Sequence, residues 1–209
     1  MCFAVRVGSE TIGGMADLDL FLFRAINRDL SNAFFDLLMP FITDPGPFLV
    51  PFAGAGIGLL VWGGRKGRLA VVTALVLLFV SNSANELVKF WIQRSRPCQV
   101  LEAVRLLVGC THSLSFPSSH AANITAQALL FAYLYRPLAF PLFLVAALVG
   151  YSRVYVGVHY PADVAGGVLV GLISAAVFIR LAREVERRLP AADDRPPLTD
   201  ERPSITDDC

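Results

Sequence analysis

Residues 69–92 read LAVVTALVLLFVSNSANELVKFWI, and this stretch decides the fold class. As a helix it rises about 36 Å, more than the roughly 30 Å of hydrocarbon in a bilayer. Ser81, Asn82, Asn85, Glu86, Lys89 and, just past its end, Gln93 recur near helical spacing. The helix therefore turns a polar face to other protein and not to lipid. The expected architecture is an all-α, polytopic membrane helical bundle.

Working outward, further apolar runs cover 47–62, 121–135, 138–156 and 164–179, which brings the minimum to five spans. A sixth depends on residues 17–44. There Leu18, Leu20, Phe21, Phe23, Ile26 and Leu30 are interrupted by Arg24, Asn27, Arg28 and Asp29, a density of charge that favours an interfacial amphipathic helix over a span. The run from Ala33 to Ile42, ended by Asp44-Pro45-Gly46-Pro47, is either a short sixth helix or the first half of a kinked span. The composition agrees with five to six transmembrane helices. Of 209 residues 55% are hydrophobic and 17% charged, and the mean hydropathy is +0.59, against about 45–50% apolar and about 25% charged in soluble domains. A disordered chain is excluded.

The net charge of +1 argues against a nucleic-acid partner held by a basic surface. The charge is unevenly placed. Residues 190–209 carry six acids and two bases, a net of −4, with four prolines and few apolar residues, so residues 189–209 read as a disordered acidic tail. Residues 1–16 form an N-terminal segment without the apolar core of a cleavable signal peptide, and residues 17–188 form one membrane domain. Its basic loops set the orientation. Arg65, Lys66 and Arg68, then Arg136, then Arg180, Arg183, Arg187 and Arg188 fall on one side, expected to be cytoplasmic. The other side receives residues 93–120 and 151–163.

That non-cytoplasmic side collects the reactive residues. Lys89 to Arg96-Pro97 lies at the outer end of the polar span. Phe116-Pro117-Ser118-Ser119-His120 directly precedes an apolar run, which makes it a helix start whose free N–H groups can bind an anion. In Ser152-Arg153-Val-Tyr-Val-Gly-Val-His159-Tyr-Pro161-Ala-Asp163, Pro161 suits the first helical position. His159 then precedes a helix and Asp163 sits in its first turn, tilted back within reach of the imidazole. A carboxylate on one ring nitrogen fixes the tautomer and frees the other nitrogen as nucleophile or base. Cys98 and Cys110 bracket the loop on this face. An oxidising compartment would join them, contributing about 3 kcal/mol in the chain-entropy model, and a reducing one would leave two thiols.

Together the three segments resemble the type 2 phosphatidic acid phosphatase (PAP2) superfamily, whose signature is K-x6-R-P, P-S-G-H and S-R-x5-H-x3-D. Ser119 stands where the family usually has Gly. The resemblance implies that His159 attacks phosphorus to form a phosphohistidine, oriented by Asp163, and that His120 protonates the leaving oxygen and then assists water. It implies that Lys89, Arg96 and Arg153, with Ser118 and the backbone near Ser119, hold the phosphoryl oxygens. Independently of the family, phosphoryl transfer needs charge stabilisation on the equatorial oxygens, and fixed cations with helix N–H groups supply it. A metal site built from His112, His120, His159 and Asp163 or Cys110 is the rival. No H-x-x-x-H or C-x-x-C spacing supports it, and three cations around one pocket would repel a divalent ion. Neither a metal nor another cofactor is expected.

A pocket at the membrane surface lets a lipid keep its tail in the bilayer, so the expected partner is a membrane lipid phosphate. Short loops, with Asp19-Leu-Phe-Leu-Phe-Arg-Ala-Ile-Asn27, Phe35-Asp36 and Phe41-Ile-Thr43, resemble bacterial undecaprenyl diphosphate phosphatases. Phosphatidylglycerophosphate, phosphatidate and lipid A phosphatases share the same catalytic residues and remain alternatives. A non-catalytic anionic-lipid binding or transport protein would need the cations but not the pair His159 and Asp163. Vanadium haloperoxidases, which have a similar anion site, are larger soluble proteins.

Overall fold

The structure, a computed structural model, describes residues 9–188. The acidic segment 189–209 and the start of the segment 1–16 lie outside the described residues. Every described regular element is helical: α1 Ser9–Arg24, continued by a π-helical turn Ala25–Asp29, α2 Ala33–Thr43, α3 Gly46–Trp62, α4 Gly64–Ile92, the short α5 Pro97–Val100, α6 Ser119–Leu134, α7 Ala139–Tyr155 and α8 Pro161–Arg188. The local sequence explains the boundaries. The Asn32 side chain caps α2 by accepting from the Phe35 N–H at 3.0 Å. At the far end of α4, Gln93 takes the left-handed conformation, φ 51°, that releases the chain from the helix. Pro161 opens α8 as the sequence predicts.

Helix α6 lies against α4, α7 and α8. Its approach to α8 depends on small residues: a Cβ at Gly171 would collide with the Ala122 carbonyl, and one at Gly167 with the Ser118 carbonyl. Small residues allow such close contact where lipid supplies no hydrophobic drive between helices. The interior and exterior are chemically inverted relative to a soluble domain. Ser81, Asn85 and Lys89 of α4 are buried, while Phe79, Phe90, Trp91, Phe140 and Ile173 face outward. Ser81, Asn85 and Lys89 therefore face protein as the sequence predicts, whereas Asn82, Glu86 and Gln93 of the same expected stripe are exposed; the apolar exterior makes the chain an integral membrane protein.

Gly64–Val100, Arg136–Tyr155 and Pro161–Glu184 are each long and apolar enough to cross a membrane. Helices α2 and α3, bent by 48° at the break, make a fourth if they form one broken span. The sequence reading of five to six spans adds α6, which at 16 residues needs its flanks to cross, and at its upper bound counts 33–42 apart from α3. Helix α1 is not among the spanning helices. With its π-helical continuation it buries one stripe, Asp19, Phe23 and Asn27, and exposes both the charged Arg24, Arg28 and Asp29 and the apolar Leu18, Phe21 and Leu22. The basic loops meet at one end of the bundle: Lys66 lies over the Tyr135 ring and Arg183 over the Tyr133 ring.

Candidate active site

At the opposite end, the C-terminus of α4, the N-terminus of α6 and the α7–α8 loop converge. His159 is the centre of the cluster, 1% exposed. The backbone delivers it there: α7 closes with the Arg153 carbonyl accepting from the N–H groups of both Val158 (3.3 Å) and His159 (3.2 Å). Between them Gly157 has φ 87°, and a Cβ there would meet Val104 and the Arg105 carbonyl.

The two imidazole nitrogens face different partners. Arg96 Nη1 lies 3.2 Å from His159 Nε2. A guanidinium can only donate, so Nε2 carries the lone pair and Nδ1 the proton. Nδ1 lies 3.5 Å from Asp163 Oδ2 and 3.4 Å from Ser115 Oγ. Ser115 Oγ in turn donates to Asp163 Oδ2 at 2.5 Å, and the Tyr160 N–H donates to the same oxygen at 2.8 Å. The carboxylate thus reaches the imidazole both directly, at long range, and through the serine. The sequence reading places Asp163 beside His159 but misses Ser115, since a serine in a loop between His112 and Pro117 carries no motif signal.

The other carboxylate oxygen belongs to Arg94, a second omission of the sequence reading. Arg94 Nη1 donates to Asp163 Oδ1 at 2.8 Å and Nη2 to Asp19 Oδ2 at 2.6 Å, with the guanidinium 4.0 Å from the Tyr160 ring centroid. Asp19 Oδ1 also accepts the Ala162 N–H at 2.8 Å. Helix α1 is thereby tied to the first turn of α8.

The cations sit on well-defined supports. Arg96, 5% exposed, donates through Nε to the Ser113 carbonyl and through Nη2 to Ser113 Oγ, both at 2.8 Å, and Nη1 approaches the Val158 carbonyl at 3.3 Å. Arg153 Nη1 donates to Thr43 Oγ1 at 2.7 Å, and its buried Nε has no partner among the described residues. Lys89 Nζ donates to Glu86 Oε1 and to Ser119 Oγ, each at 2.7 Å. The Asn85 amide donates to the same hydroxyl at 2.7 Å. Ser119 therefore directs its side chain at α4, where it holds Lys89 and Asn85, and leaves its N–H at the helix start. Ser118 is buried with its Oγ unpartnered among the described residues, while its N–H is taken by the Asp163 carbonyl at 2.9 Å. The N–H groups of Ser119, His120 and Ala121 open α6 and have no intrahelical acceptor. His120 is exposed beside them and makes no hydrogen bond among the described residues.

Asp36 and Thr43, quoted from the N-terminal stretches of the sequence, also reach this end. Asp36 accepts from the Tyr155 hydroxyl at 2.6 Å and pairs with Arg105, and Thr43 holds Arg153. Cys98 and Cys110 are joined as a disulfide, Cα atoms 6.1 Å apart, and tie the loop that follows Arg96. No group of three or more His, Cys, Asp or Glu side chains arranged to hold a metal ion occurs among the described residues.

Burial, with Arg96 and Arg153 adding to it and Asp163 opposing, pushes the His159 imidazole down to about 4. In the unfolded chain its value is about 6.5. Between these values the unfolded chain binds a proton that the folded chain does not, so stability is lost as pH falls from about 6.5 to about 4. The thermal midpoint in detergent should fall over that interval, and by less in His159→Gln. An equal fall in both proteins would show that other groups set the acid sensitivity.

The site supplies a buried neutral imidazole, a carboxylate behind it, three cations and a helix start, which together suit attack on a phosphoryl group. The comparisons with known proteins agree. The family model of the PAP2 superfamily matches residues 69–187. The undecaprenyl-diphosphatase BcrC of Bacillus subtilis is 30% identical over 162 residues, 77% of this chain and 82% of the relative. The crystal structure of Aquifex aeolicus LpxE superposes with a TM-score of 0.68 at 30% identity, covering 78% of this chain and 95% of the other. The transmembrane PAP2-type phosphatidylglycerolphosphate phosphatase of Bacillus subtilis gives 0.65 at 26% identity, covering 84% and 90%. With its motif residues gathered into one pocket at one end of a membrane bundle, the chain belongs to the PAP2 superfamily of lipid phosphatases.

Proposed function

We propose that residues 17–188 form a metal-independent undecaprenyl diphosphate phosphatase of the bacterial inner membrane, with its active site on the periplasmic or extracellular face. As Arg96 Nη1 passes its hydrogen bond from His159 Nε2 to a phosphoryl oxygen, the freed Nε2 lone pair attacks the terminal phosphorus, the bond to the lipid phosphate oxygen breaks, and His120 gives that oxygen a proton. Water, deprotonated by His120, then attacks the phosphohistidine and releases inorganic phosphate with Nε2 restored. Arg96, Arg153 and Lys89, the Ser118 hydroxyl and the free N–H groups of α6 hold the phosphoryl oxygens as charge builds on them. Ser119 contributes its backbone N–H and keeps Lys89 in place through its hydroxyl.

The observation that carries this reading is the two-sided environment of His159, with a donor-only guanidinium at Nε2 and the Ser115–Asp163 pair at Nδ1. A protein that merely holds an anionic lipid needs the cations but not an imidazole of fixed tautomer. The polyprenyl substrate is supported by the resemblance to BcrC over most of both chains. A glycerolipid phosphate is the second reading, supported by the likeness to the phosphatidylglycerolphosphate phosphatase. The outward-facing site is supported by the basic loops gathered at the other end and by the Cys98–Cys110 disulfide, which belongs in an oxidising compartment.

The test is phosphate release from undecaprenyl diphosphate by detergent-purified protein in excess EDTA, with phosphatidate and phosphatidylglycerophosphate in parallel. Preferred release from the polyprenyl substrate is expected. Preference for a glycerolipid would keep the mechanism and move the substrate, and no release from any of the three would favour a binding protein.

Arg94 and Asp19 act as positioning residues in this scheme, because Arg94 holds Asp163 and Asp19 holds Arg94 and the first turn of α8. Arg94→Gln should lower kcat about tenfold with KM little changed. Asp19→Asn should do the same, and the double variant should be no worse than either alone, since both break one chain of contacts. Additive losses, or a loss confined to KM, would remove them from this role.

A further inference from the structure

At the basic end of the bundle, α4, α6 and α8 enclose a cavity of about 460 Å³ that the catalytic reading does not use. Its mouth carries Arg65, Lys66 and Arg183, and its wall is aliphatic and aromatic, including Leu69, Leu130 and Phe178. Along α4 the path from Lys66 to Lys89 is about 35 Å, so the cavity and the active site lie at opposite membrane surfaces.

Two of the three cations here, Lys66 and Arg183, are held in place, and none is neutralised by a carboxylate among the described residues. Arg183 Nε donates to the Tyr133 hydroxyl at 2.9 Å with its guanidinium 4.4 Å from the ring centroid, which leaves both Nη groups available. Lys66 Nζ lies 4.6 Å from the Tyr135 ring centroid. No carboxylate pairs with Arg65, Lys66 or Arg183 among the described residues. Below them the wall continues into the lipid-facing surface of the bundle, where Leu69 is 52% and Leu181 61% exposed. A ligand that matches must be anionic at one end and apolar along its length. Residues 190–209 carry a net charge of −4 but are rich in proline and poor in apolar side chains, so they match the mouth and not the wall.

We propose that this cavity binds an anionic glycerophospholipid of the leaflet opposite the catalytic one, its headgroup phosphate on Arg65, Lys66 and Arg183 and an acyl chain along Leu69, Leu130 and Phe178. Basic pockets between membrane helices recognise acidic headgroups by this combination. Through α4, α6 and α8 the bound lipid braces the three helices that carry Lys89, His120 and Asp163 at their other ends.

Native mass spectrometry of the full-length protein in detergent, titrated with phosphatidylglycerol or phosphatidylcholine, tests this directly. Phosphatidylglycerol should be retained preferentially, with the preference falling about fivefold for each cation replaced by Gln, down to the phosphatidylcholine level in Arg65→Gln/Lys66→Gln/Arg183→Gln. These side chains are exposed, and an unchanged thermal midpoint in lipid-free detergent will confirm that the variant is folded. Ala182→Phe, which fills the cavity without altering charge, should also abolish retention. Lys89→Gln/Arg153→Gln, which removes two phosphate-binding cations of the active site, should leave retention intact, because the active site is elsewhere. Equal retention of both lipids by the wild type, survival of the preference in the Arg65→Gln/Lys66→Gln/Arg183→Gln variant, or its loss in Lys89→Gln/Arg153→Gln would each overturn the proposal. So would stabilisation by glycerol 1-phosphate equal to that by the intact lipid, since a phosphate site alone needs no acyl groove.

Discussion

Replacement of His159 by alanine should lower turnover by about 10⁴- to 10⁶-fold, the range seen when the nucleophile of a group acting as a unit is removed. The size of the effect follows from the geometry. His159 is the only imidazole in the cluster whose orientation is set from both sides, with Arg96 at Nε2 and Ser115 with Asp163 at Nδ1. His120 is exposed and unpartnered among the described residues, and nothing holds its ring for in-line attack. Vanadate or phosphate binding should persist in His159→Ala, since Lys89, Arg153 and the α6 N-terminus remain. Rapid acid-labile labelling of the wild type by ³²P-substrate, absent in the variant, would identify the phosphohistidine. Turnover within tenfold of the wild type would show that another group is the nucleophile.

Arg96→Ala should cost at least about 10²- to 10³-fold in kcat, the loss associated with removing one preorganised donor to a developing oxyanion. Arg153→Ala should fall in the same range, but Arg96 has more to lose. Its guanidinium spans the Ser113 carbonyl and hydroxyl, the Val158 carbonyl and His159 Nε2, so one side chain fixes the loop after α4, the α7–α8 loop and the tautomer of the nucleophile. Truncation leaves buried carbonyls without donors as well as removing a charge. Arg96→Lys separates the two effects. Lysine keeps the charge but is a compact ammonium that cannot bridge the same set of acceptors, so it should recover less than about tenfold of the loss. Near-complete recovery would mean that charge alone is required, and rates within threefold of wild type in Arg96→Ala would remove this residue from the site.

The membrane class and the placing of Asp163 beside His159 were legible without coordinates because both depend on short-range patterns, whereas the roles of Lys89, Arg96, Arg153 and His120 rested on the family resemblance. A continuous apolar run with a polar face at helical spacing has few solutions other than a buried-face membrane helix, as Asn85 and Lys89 illustrate. His159, Pro161 and Asp163 lie within a single loop and helix turn, so their proximity follows from local geometry. The span number was less legible. Helix α6 is 16 residues long, and whether 33–43 continues into 46–62 turns on a 48° bend at Asp44-Pro45 that the sequence marks but does not measure.

Arg94, Ser115 and Asp19 were beyond the reach of sequence reasoning for a physical reason. Each acts through a partner distant in the chain: Arg94 is 69 residues from Asp163 and 75 from Asp19, and Ser115 is 48 from Asp163. Nothing local distinguishes Arg94, half-buried against a carboxylate pair, from a basic residue at a membrane interface. The sequence places Ser119 where the family usually has Gly but does not show where its hydroxyl points. The packing of α4 on α6 settled where its hydroxyl points, toward Lys89 and Asn85.

By itself, then, the sequence determined an all-α membrane protein, the three motif segments and the ionic character of each, because hydropathy and helix-start chemistry are set by neighbours in the chain. Only the tertiary structure decided which cation faces the imidazole, what stands behind Asp163, and that α1 belongs to the site. Those facts depend on where helices distant in sequence cross, and close crossings such as that of α6 over Gly167 and Gly171 come from packing that no single segment contains.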